Sequence, residues 1–159
     1  MHLRQPVPTP TAAPRSHTGL SSRLRADSIE ALRAINLFEA CTRPALRRIR
    51  RASDVAHVPE GSIIHPGNRL RWVYGLLAGT ISIQHDQHAG IADAGEAVGL
   101  HAALTGQQPH VTLTALTDIT VIITAQREFL ALSETIPRLG LTIARQIAQA
   151  PVQAAIASL

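Results

Sequence analysis

The stretch Val98–Ala115 reads V-G-L-H-A-A-L-T-G-Q-Q-P-H-V-T-L-T-A. It predicts a short helix over Leu100–Thr105, begun at Gly99 and ended by Gly106 in the left-handed conformation. From His110 onward polar and apolar residues alternate, which predicts a half-buried strand. The free N–H groups at a helix start commonly bind a small anion. The stretch therefore raises the question of whether this chain still has an anion site.

Composition sets the outer limits of fold and function. The chain has 159 residues, of which 45% are hydrophobic and 16% are charged, so it suits one domain with a real core. The single cysteine, Cys41, excludes an internal disulfide, and no apolar run reaches the roughly 18 residues of a membrane helix. We expect a cytoplasmic protein without a membrane partner.

Charge and proline divide the chain into three parts. Residues 1–51 hold ten arginines against three acids, a balance of +7, whereas the remainder holds five arginines against eight acids, a balance of −3. We expect a disordered Pro/Arg-rich tail over residues 1–26, a folded domain over 27–149 and an apolar tail over 150–159.

Helices are predicted on both sides of a β-rich middle. A capping-box pattern predicts a first helix over Ser28–Ile35. A second helix is expected from Thr42 to about Ser53, with Leu46 and Ile49 facing inward. Helical periodicity returns around Phe129 and resumes after Pro137, and Pro151 is expected to break or end the last helix.

The middle of the chain consists of short runs of branched residues separated by glycines, which is typical of a small all-β unit. The candidate strands are Val55–Val58, Ser62–His65, Trp72–Leu77, Thr80–His85, Gly90–Ala92, His110–Leu116 and Ile119–Thr124.

Six segments of the chain follow one another in a recognisable order. They are L-F-E-A-C-T at Leu37–Thr42, V-P-E-G-S-I-I at Val58–Ile64, P-G-N at Pro66–Asn68, V-Y-G-L-L-A-G-T-I-S-I at Val73–Ile83, A-G-E-A-V-G at Ala94–Gly99 and A-L-T-D-I-T-V at Ala115–Val121. In this order the six segments resemble the cyclic nucleotide-binding domain of the catabolite activator proteins, cyclic-nucleotide-dependent kinases and related channels. The resemblance implies a mainly β fold, a β jelly-roll with flanking helices, and a phosphate-binding cassette at Val98–Ala115.

The cassette departs from the family at its two polar positions. The family places a glutamate for the ribose after the glycine, and an arginine for the cyclic phosphate about nine residues later; Leu100 and Pro109 stand there instead. We therefore expect weak or no binding of cyclic AMP or cyclic GMP, and no other cofactor. The cassette positions that the resemblance implies are Gly99, Leu100, His101, Ala102, Pro109, His110 and Val111.

Other histidines, arginines and the cysteine give weaker signals. His101 and His110 read as surface histidines, with a partial positive charge in the cassette as the alternative. Arg69 and Arg71 read as solvated loop residues unless their loop folds inward. The H-x-x-H pair of His85 and His88 lacks a third ligand, so no metal site is predicted. Cys41 reads as a core residue, and no nucleophile–base pair indicates an enzyme.

The remaining signals are a basic helix and an apolar tail. We predict a partner surface formed by Arg47, Arg48, Arg50, Arg51, Val152 and Ile156. The leading hypothesis is a stand-alone, non-enzymatic regulatory module that acts through a protein partner or another ligand.

Two alternatives remain open. One is an accessory or truncated transcription regulator that pairs, as a homodimer or with a full-length relative, through its closing helix. It would lack a DNA-binding domain, because too little chain follows Ile147 for a helix-turn-helix, so nucleic-acid binding by this chain alone is not expected. The other is a purely structural domain whose pocket is filled by Leu100 and neighbouring apolar groups.

Overall fold

Two four-stranded antiparallel sheets form the centre of the protein. The computed structural model describes residues 29–149. The sheet orders are β1-β8-β3-β6 and β2-β7-β4-β5. This arrangement, with helices beside it, confirms the predicted jelly-roll class. The strands are β1 Ser53–Val58, β2 Ile63–Arg69, β3 Trp72–Ala78, β4 Thr80–His85, β5 His88–Asp93, β6 Ala97–Val98, β7 His110–Ala115 and β8 Ile119–Ala125.

The helices lie before, within and after the strands. Within residues 29–149, no helix combines the length and apolarity needed to cross a membrane. The predicted 1–26 tail and the residues Pro151, Val152 and Ile156 lie outside the described part of the chain. The helices are 3₁₀ segments at Ile29–Ala34 and Asn36–Phe38, and α1 Arg43–Arg51, α2 Leu100–Thr105, α3 Gln126–Thr135 and α4 Pro137–Gln149.

The first predicted helix exists, but it is 3₁₀ over Ile29–Ala34. Residues three apart nearly eclipse in a 3₁₀ helix, and here Arg33 Nε lies 2.8 Å from Glu30 Oε2. The N–H of Ile35 donates to the Leu32 carbonyl at 3.1 Å, a bond of the same i to i−3 type. Both contacts join residues three apart, so they stabilise a 3₁₀ helix over this short segment in place of an α-helix.

Helix α1 begins as predicted and ends earlier. The Thr42 hydroxyl accepts from the Ala45 N–H at 3.4 Å and caps it. Leu46 and Ile49 are buried, as expected. The helix ends at Arg51 because Ser53 already belongs to β1 and contributes its hydroxyl to a buried hydrogen-bond pair with Thr124.

The sheet containing β3 separates two apolar cores. Along β3, Val73 and Leu77 contact the helical core, whereas Tyr74 and Leu76 lie between the two sheets. Gly75 of β3 leaves room for Ile35, which follows the first 3₁₀ helix, because a β-carbon on residue 75 would lie 2.7 Å from Ile35 Cδ1. The cassette helix α2 adds Leu100 and Ala103 to the helical core, whereas Val98, just before it, belongs to the core between the sheets.

Strand β4 has the predicted bounds, but β2 and β6 differ from expectation. β2 continues to Arg69 through Pro66 and Gly67 instead of ending at His65. The strand tolerates proline because it lies at a sheet edge and its pairing with β7 is interrupted by two register shifts. The two-residue β6 was not predicted, because so short a run shows no alternation.

Candidate functional site

The backbone of the cassette is built as the glycines require. Gly99 has φ of +96° and caps α2, and a β-carbon there would lie 2.5 Å from the Trp72 carbonyl oxygen. Gly106 has φ of +69°, and its N–H donates to the Ala102 carbonyl. The helix between them has the predicted bounds, Leu100–Thr105. The positive φ of Gly99 therefore lets α2 begin directly after β6.

Leu100 packs on the helical side of the sheet. It is 6% exposed and belongs to the core that includes Phe129 of α3 and Leu139 of α4. Ala103 lies in the same core, and Ala102 is also buried. A side chain held among these groups offers no hydrogen bond to a sugar. It does not belong to the core between the two sheets.

Pro109 and the two cassette histidines lie near the surface. The Pro109 carbonyl accepts from the Leu70 N–H at 2.8 Å, and its ring has no donor. His101 is half-buried and His110 is exposed, with His110 Nδ1 lying 3.3 Å from the Gly67 carbonyl oxygen. Both histidines thus border the cassette. Val111 faces the core between the sheets.

The nearby arginines lie at the surface. Arg69 pairs with His110 across β2 and β7, which places the two residues side by side at the same end of the sheet. Arg69 and Arg71 are both exposed. From residue 97 to residue 117 the sequence has no Asp, Glu, Lys or Arg. The cassette itself therefore supplies no full positive charge except by histidine protonation.

Gln126, the first residue of α3, joins the cassette exit to the closing helices. Its Nε2 donates to the carbonyls of Leu70 at 3.1 Å and Gln107 at 3.2 Å. Its backbone N–H donates to the Arg71 carbonyl at 3.0 Å. Sequence reasoning missed this residue, because a glutamine at a helix start gives no signal of partners that the fold alone brings near.

Two buried polar rings lie between the sheets and were also missed. His65 Nδ1 is 2.7 Å from the Val111 carbonyl oxygen, and the ring meets that of Tyr74 edge to face at a centroid distance of 6.3 Å. Burial raises the pKa of the Tyr74 phenol to about 12. The sequence predicts His65 only as the last residue of a strand; the register shift between Ile63 and His65 leaves Ile63 exposed and His65 buried.

His85 and Cys41, which the sequence raises as candidates for metal binding and nucleophilic chemistry, both make contacts within the fold. Residues 29–149 contain no group of three or more His, Cys, Asp or Glu side chains placed to hold a metal. His85 Nδ1 lies 3.0 Å from the His110 carbonyl oxygen, and its Nε2 lies 3.5 Å from Asp86 Oδ2. Cys41 is a core residue, as predicted, and burial raises the pKa of its thiol.

The four α1 arginines that the sequence assigns to a partner surface divide into two pairs. Arg48 Nη2 donates to Thr135 Oγ1 at 2.7 Å, and Arg50 Nη1 donates to the Ser53 carbonyl at 3.1 Å. Arg47 and Arg51 are exposed, and no hydrogen bond or ion pair engages them within the described residues. Two of the four thus hold the helix to its neighbours, and two are available to a partner.

No protein-family model matches the sequence, and no curated protein matches it. Solved structures do match the fold. The sensor domain of the transcriptional regulator DNR from Pseudomonas aeruginosa superposes with a TM-score of 0.67 at 16% identity, over 81% of this chain and 96% of that one.

Two further structures extend the likeness. The Thermus thermophilus catabolite activator protein has a TM-score of 0.60 at 17% identity, over 72% of this chain and 57% of that one. The regulatory domain of Toxoplasma gondii PKA with cAMP has a TM-score of 0.62 at 13% identity, over 83% of this chain and 52% of that one. The chain thus has the fold of the cyclic nucleotide-binding domains, as the sequence resemblance predicted.

Proposed function

We propose that this chain, which has the fold of a cyclic nucleotide-binding domain, is a regulatory module that binds cyclic AMP and cyclic GMP weakly or not at all. It acts through a partner protein or another ligand. The structures that share its fold include a sensor domain and a kinase regulatory domain, which supports a regulatory role. The two replaced polar positions of its own cassette indicate that its ligand differs from a cyclic nucleotide.

The observation that carries the proposal is the pair Leu100 and Pro109. Leu100 is buried in the helical core, and Pro109 offers no side-chain donor where the resembled family has its arginine. Loss of one buried charge-assisted partner typically costs about 2 to 5 kcal/mol. Since each 1.4 kcal/mol is tenfold, loss of one partner raises a micromolar Kd by about 30- to 4,000-fold, and loss of both anchors raises it to roughly millimolar or higher.

Thermal unfolding with added nucleotide tests this proposal. A ligand present at 100 times its Kd adds about 2.7 kcal/mol to the free energy of unfolding. We expect no measurable rise in Tm with micromolar cyclic AMP or cyclic GMP. A clear rise at that concentration would overturn the proposal. Pro109→Arg, which returns a phosphate partner, is expected to strengthen the response, with Pro109→Ala as its matched control.

The proposed partner surface is the outer side of α1. Arg47 and Arg51 project from it, and their charges suit an acidic protein surface. Val152 and Ile156, which the sequence adds to this surface, lie outside the described residues. Replacing both Arg47 and Arg51 by glutamate is expected to abolish co-purification of a partner from the source cells without changing Tm. Unchanged co-purification would show that Arg47 and Arg51 of α1 are not part of the partner surface.

A second candidate is an accessory transcription regulator that pairs through its closing helix. The observation that favours it is Leu141 of α4, which is 55% exposed, with the exposed Ile147 further along the same helix. Light scattering at high micromolar concentration distinguishes the two proposals. If the chain is a dimer and Leu141→Glu dissociates it, pairing through the closing helix is supported. A chain that stays monomeric, also after full-length relatives are added, contradicts it.

Non-enzymatic action and a cytoplasmic location complete the proposal. The buried Cys41 thiol has a raised pKa, so its nucleophilic thiolate form is disfavoured. A chain with one cysteine suits a reducing compartment. We therefore propose no resident metal or cofactor, and no catalytic step.

A further inference from the structure

Helix α1 has a basic outer side that is exposed in the described part of the chain. Its buried residues are Ala45, Leu46 and Ile49. Apart from Pro44, every other position of the helix is an arginine, and the helix has no acidic residue and no exposed large apolar side chain. This side of α1 can therefore attract an anionic group, but it offers no apolar anchor.

Three of the arginines form one row along the exposed side. Arg43, Arg47 and Arg51 are four residues apart, and all three are exposed. Residues four apart are neighbours on the surface of an α-helix, and at about 1.5 Å of rise per residue the row is about 12 Å long. The other two arginines of α1 are already engaged in hydrogen bonds within the fold.

The charges of this row are almost uncompensated. Within residues 29–149, neither Arg47 nor Arg51 has a hydrogen bond or an ion pair. Arg43 Nε lies 3.7 Å from Glu30 Oε1, but that carboxylate also holds Arg33 Nε at 2.8 Å. Since an exposed ion pair contributes little free energy, Arg43 can exchange Glu30 for another carboxylate. Three guanidinium groups can thus bind a partner at the same time.

Acidic side chains stand at both ends of the row and limit its length. Glu30 lies beside Arg43 at the first end, and the exposed Asp54 follows three residues after Arg51 at the other. A nucleic acid strand carries a phosphate at every nucleotide, so a strand laid along the row would bring further phosphates toward these two carboxylates. A partner segment of about two helical turns meets the three arginines without reaching the acids.

An α-helix with a carboxylate at every fourth residue matches the spacing of the row. Because both helices rise about 1.5 Å per residue, the carboxylates stand about 6 Å apart along the axis, as the arginines do. Rows of residues four apart also interlock when two helices cross at about −50°, the commonest packing class. Each arginine can then hold one carboxylate through two parallel N–H···O bonds.

We propose that α1 binds an acidic helix of a partner protein, whose carboxylates, four residues apart, each meet one of Arg43, Arg47 and Arg51. This inference rests on the proposed function in taking the outer side of α1 as the partner surface, and it names the chemistry of the partner. The contact is exposed and electrostatic. Since the Debye length falls from about 10 Å at 0.1 M salt to about 3 Å at 1 M, binding should be at least tenfold weaker at the higher concentration.

An NMR titration of the full chain with a helical peptide tests the spacing. The probe is an alanine-rich peptide with three glutamates four residues apart. The matched control has the same composition, but its glutamates are five residues apart, which spreads them around the helix. We expect saturable binding of the probe at low salt and at least about fivefold weaker binding of the control. Equal binding of the two peptides, or no binding of the probe, would overturn the inference.

An exchange of charges tests the pairing. Whichever way the peptide runs, its middle glutamate meets Arg47, so Arg47→Glu should weaken binding of the probe at least about tenfold. A peptide with lysine at the middle position should then restore binding to this variant. Arg47 makes no contact that stabilises the fold, so the variant should keep its Tm. Arg71→Ala, at an exposed arginine outside α1, should bind the probe unchanged. Failure of the lysine peptide to restore binding would contradict the row.

Two other classes of partner are outcomes of the same titration. If a DNA oligonucleotide or vesicles containing phosphatidylserine bind at least as tightly as the probe at the same salt concentration, the partner is not an acidic helix and the inference is overturned. Failure of the probe, together with co-purification that is lost in the Arg47 and Arg51 double variant, would overturn this ligand class and leave α1 as the partner surface. A rise in Tm with cyclic AMP would overturn the proposed function alone.

Discussion

The side-chain amide of Gln126 donates to the carbonyl of Gln107, 3.2 Å away, and so ties the start of α3 to the exit of the cassette. The same nitrogen also donates to the Leu70 carbonyl. One side chain thus joins the β2–β3 connection, the cassette and the first closing helix. A change in the cassette has this direct route to α3.

We expect Gln126→Ala to lower the free energy of unfolding by about 0.5 to 1.5 kcal/mol, the net worth of a typical hydrogen bond. Two carbonyls lose a protein donor, although water can reach part of this site. Urea denaturation measures the change. Gln84→Ala is the matched control, because the Gln84 amide reaches only the Asp86 carbonyl at 3.5 Å. Equal effects of the two variants would contradict a special role for Gln126.

Gly99 and Gly106 make a second comparison, because both have positive φ but only one is crowded. Gly99→Ala would place a β-carbon 2.5 Å from the Trp72 carbonyl oxygen, whereas at Gly106 no atom lies within 4 Å. We expect Gly106→Ala to cost about 1 to 2 kcal/mol for the left-handed backbone alone. Gly99→Ala adds overpacking and should cost about 2 to 5 kcal/mol.

Chemical denaturation of the two glycine variants separates strain from crowding. If both lose the same free energy of unfolding, contact with the Trp72 carbonyl does not constrain residue 99. If Gly99→Ala alone fails to fold at room temperature, the crowding is stronger than a few kcal/mol. Both results can be read without a ligand.

The regular elements could be predicted from the sequence because their signals are local. The alternation over Thr80–His85 and the glycines around Leu100–Thr105 define elements whose bounds the structure reproduces. The burial of Leu46 and Ile49 could also be predicted, because their three-residue spacing places both side chains on the same side of α1. Six ordered motifs then identified the fold.

The features of the site that sequence reasoning missed depend on contacts between distant residues. His65 meets Val111, and Gln126 meets Leu70, across separations that no periodicity encodes. The continuation of β2 through Pro66 depends on its position at a sheet edge. The place of Leu100 in the helical core likewise required knowing which side of the sheet α2 covers.

The buried hydroxyls of Ser53 and Thr124 give a third prediction. Thr124→Val leaves Ser53 with its bond to the Ile49 carbonyl but without its 2.6 Å partner, and should cost about 1 to 3 kcal/mol. Adding Ser53→Ala should cost less than the sum of the single changes, because the remaining polar group is removed. A double-mutant cycle measures this coupling, and strict additivity would contradict it.

Tyr74 gives a prediction about how the free energy of unfolding depends on pH, and the amino-acid composition makes it simple to measure. The chain has one tyrosine, so ultraviolet absorbance of tyrosinate reports Tyr74 alone, and it has no lysine that would titrate in the same pH range. Burial raises the folded-state pKa from 10.0 to about 12, so folding favours the neutral phenol. The stability from this group is full below pH 10 and is lost as the pH rises toward 12. The expected loss is about 2 to 3 kcal/mol, since one pKa unit is about 1.4 kcal/mol.

Unfolding measured between pH 8 and pH 12 tests the Tyr74 prediction. Burial also raises the pKa of Cys41 above 9.0, which adds a loss of the same sign at lower pH, so the series is best run in a Cys41→Ala background. In that background Tyr74→Phe should remove most of the decline above pH 10 while leaving stability at pH 8 unchanged. A tyrosinate transition near pH 10 in the folded protein would show that the phenol is open to water, which contradicts its place between the sheets.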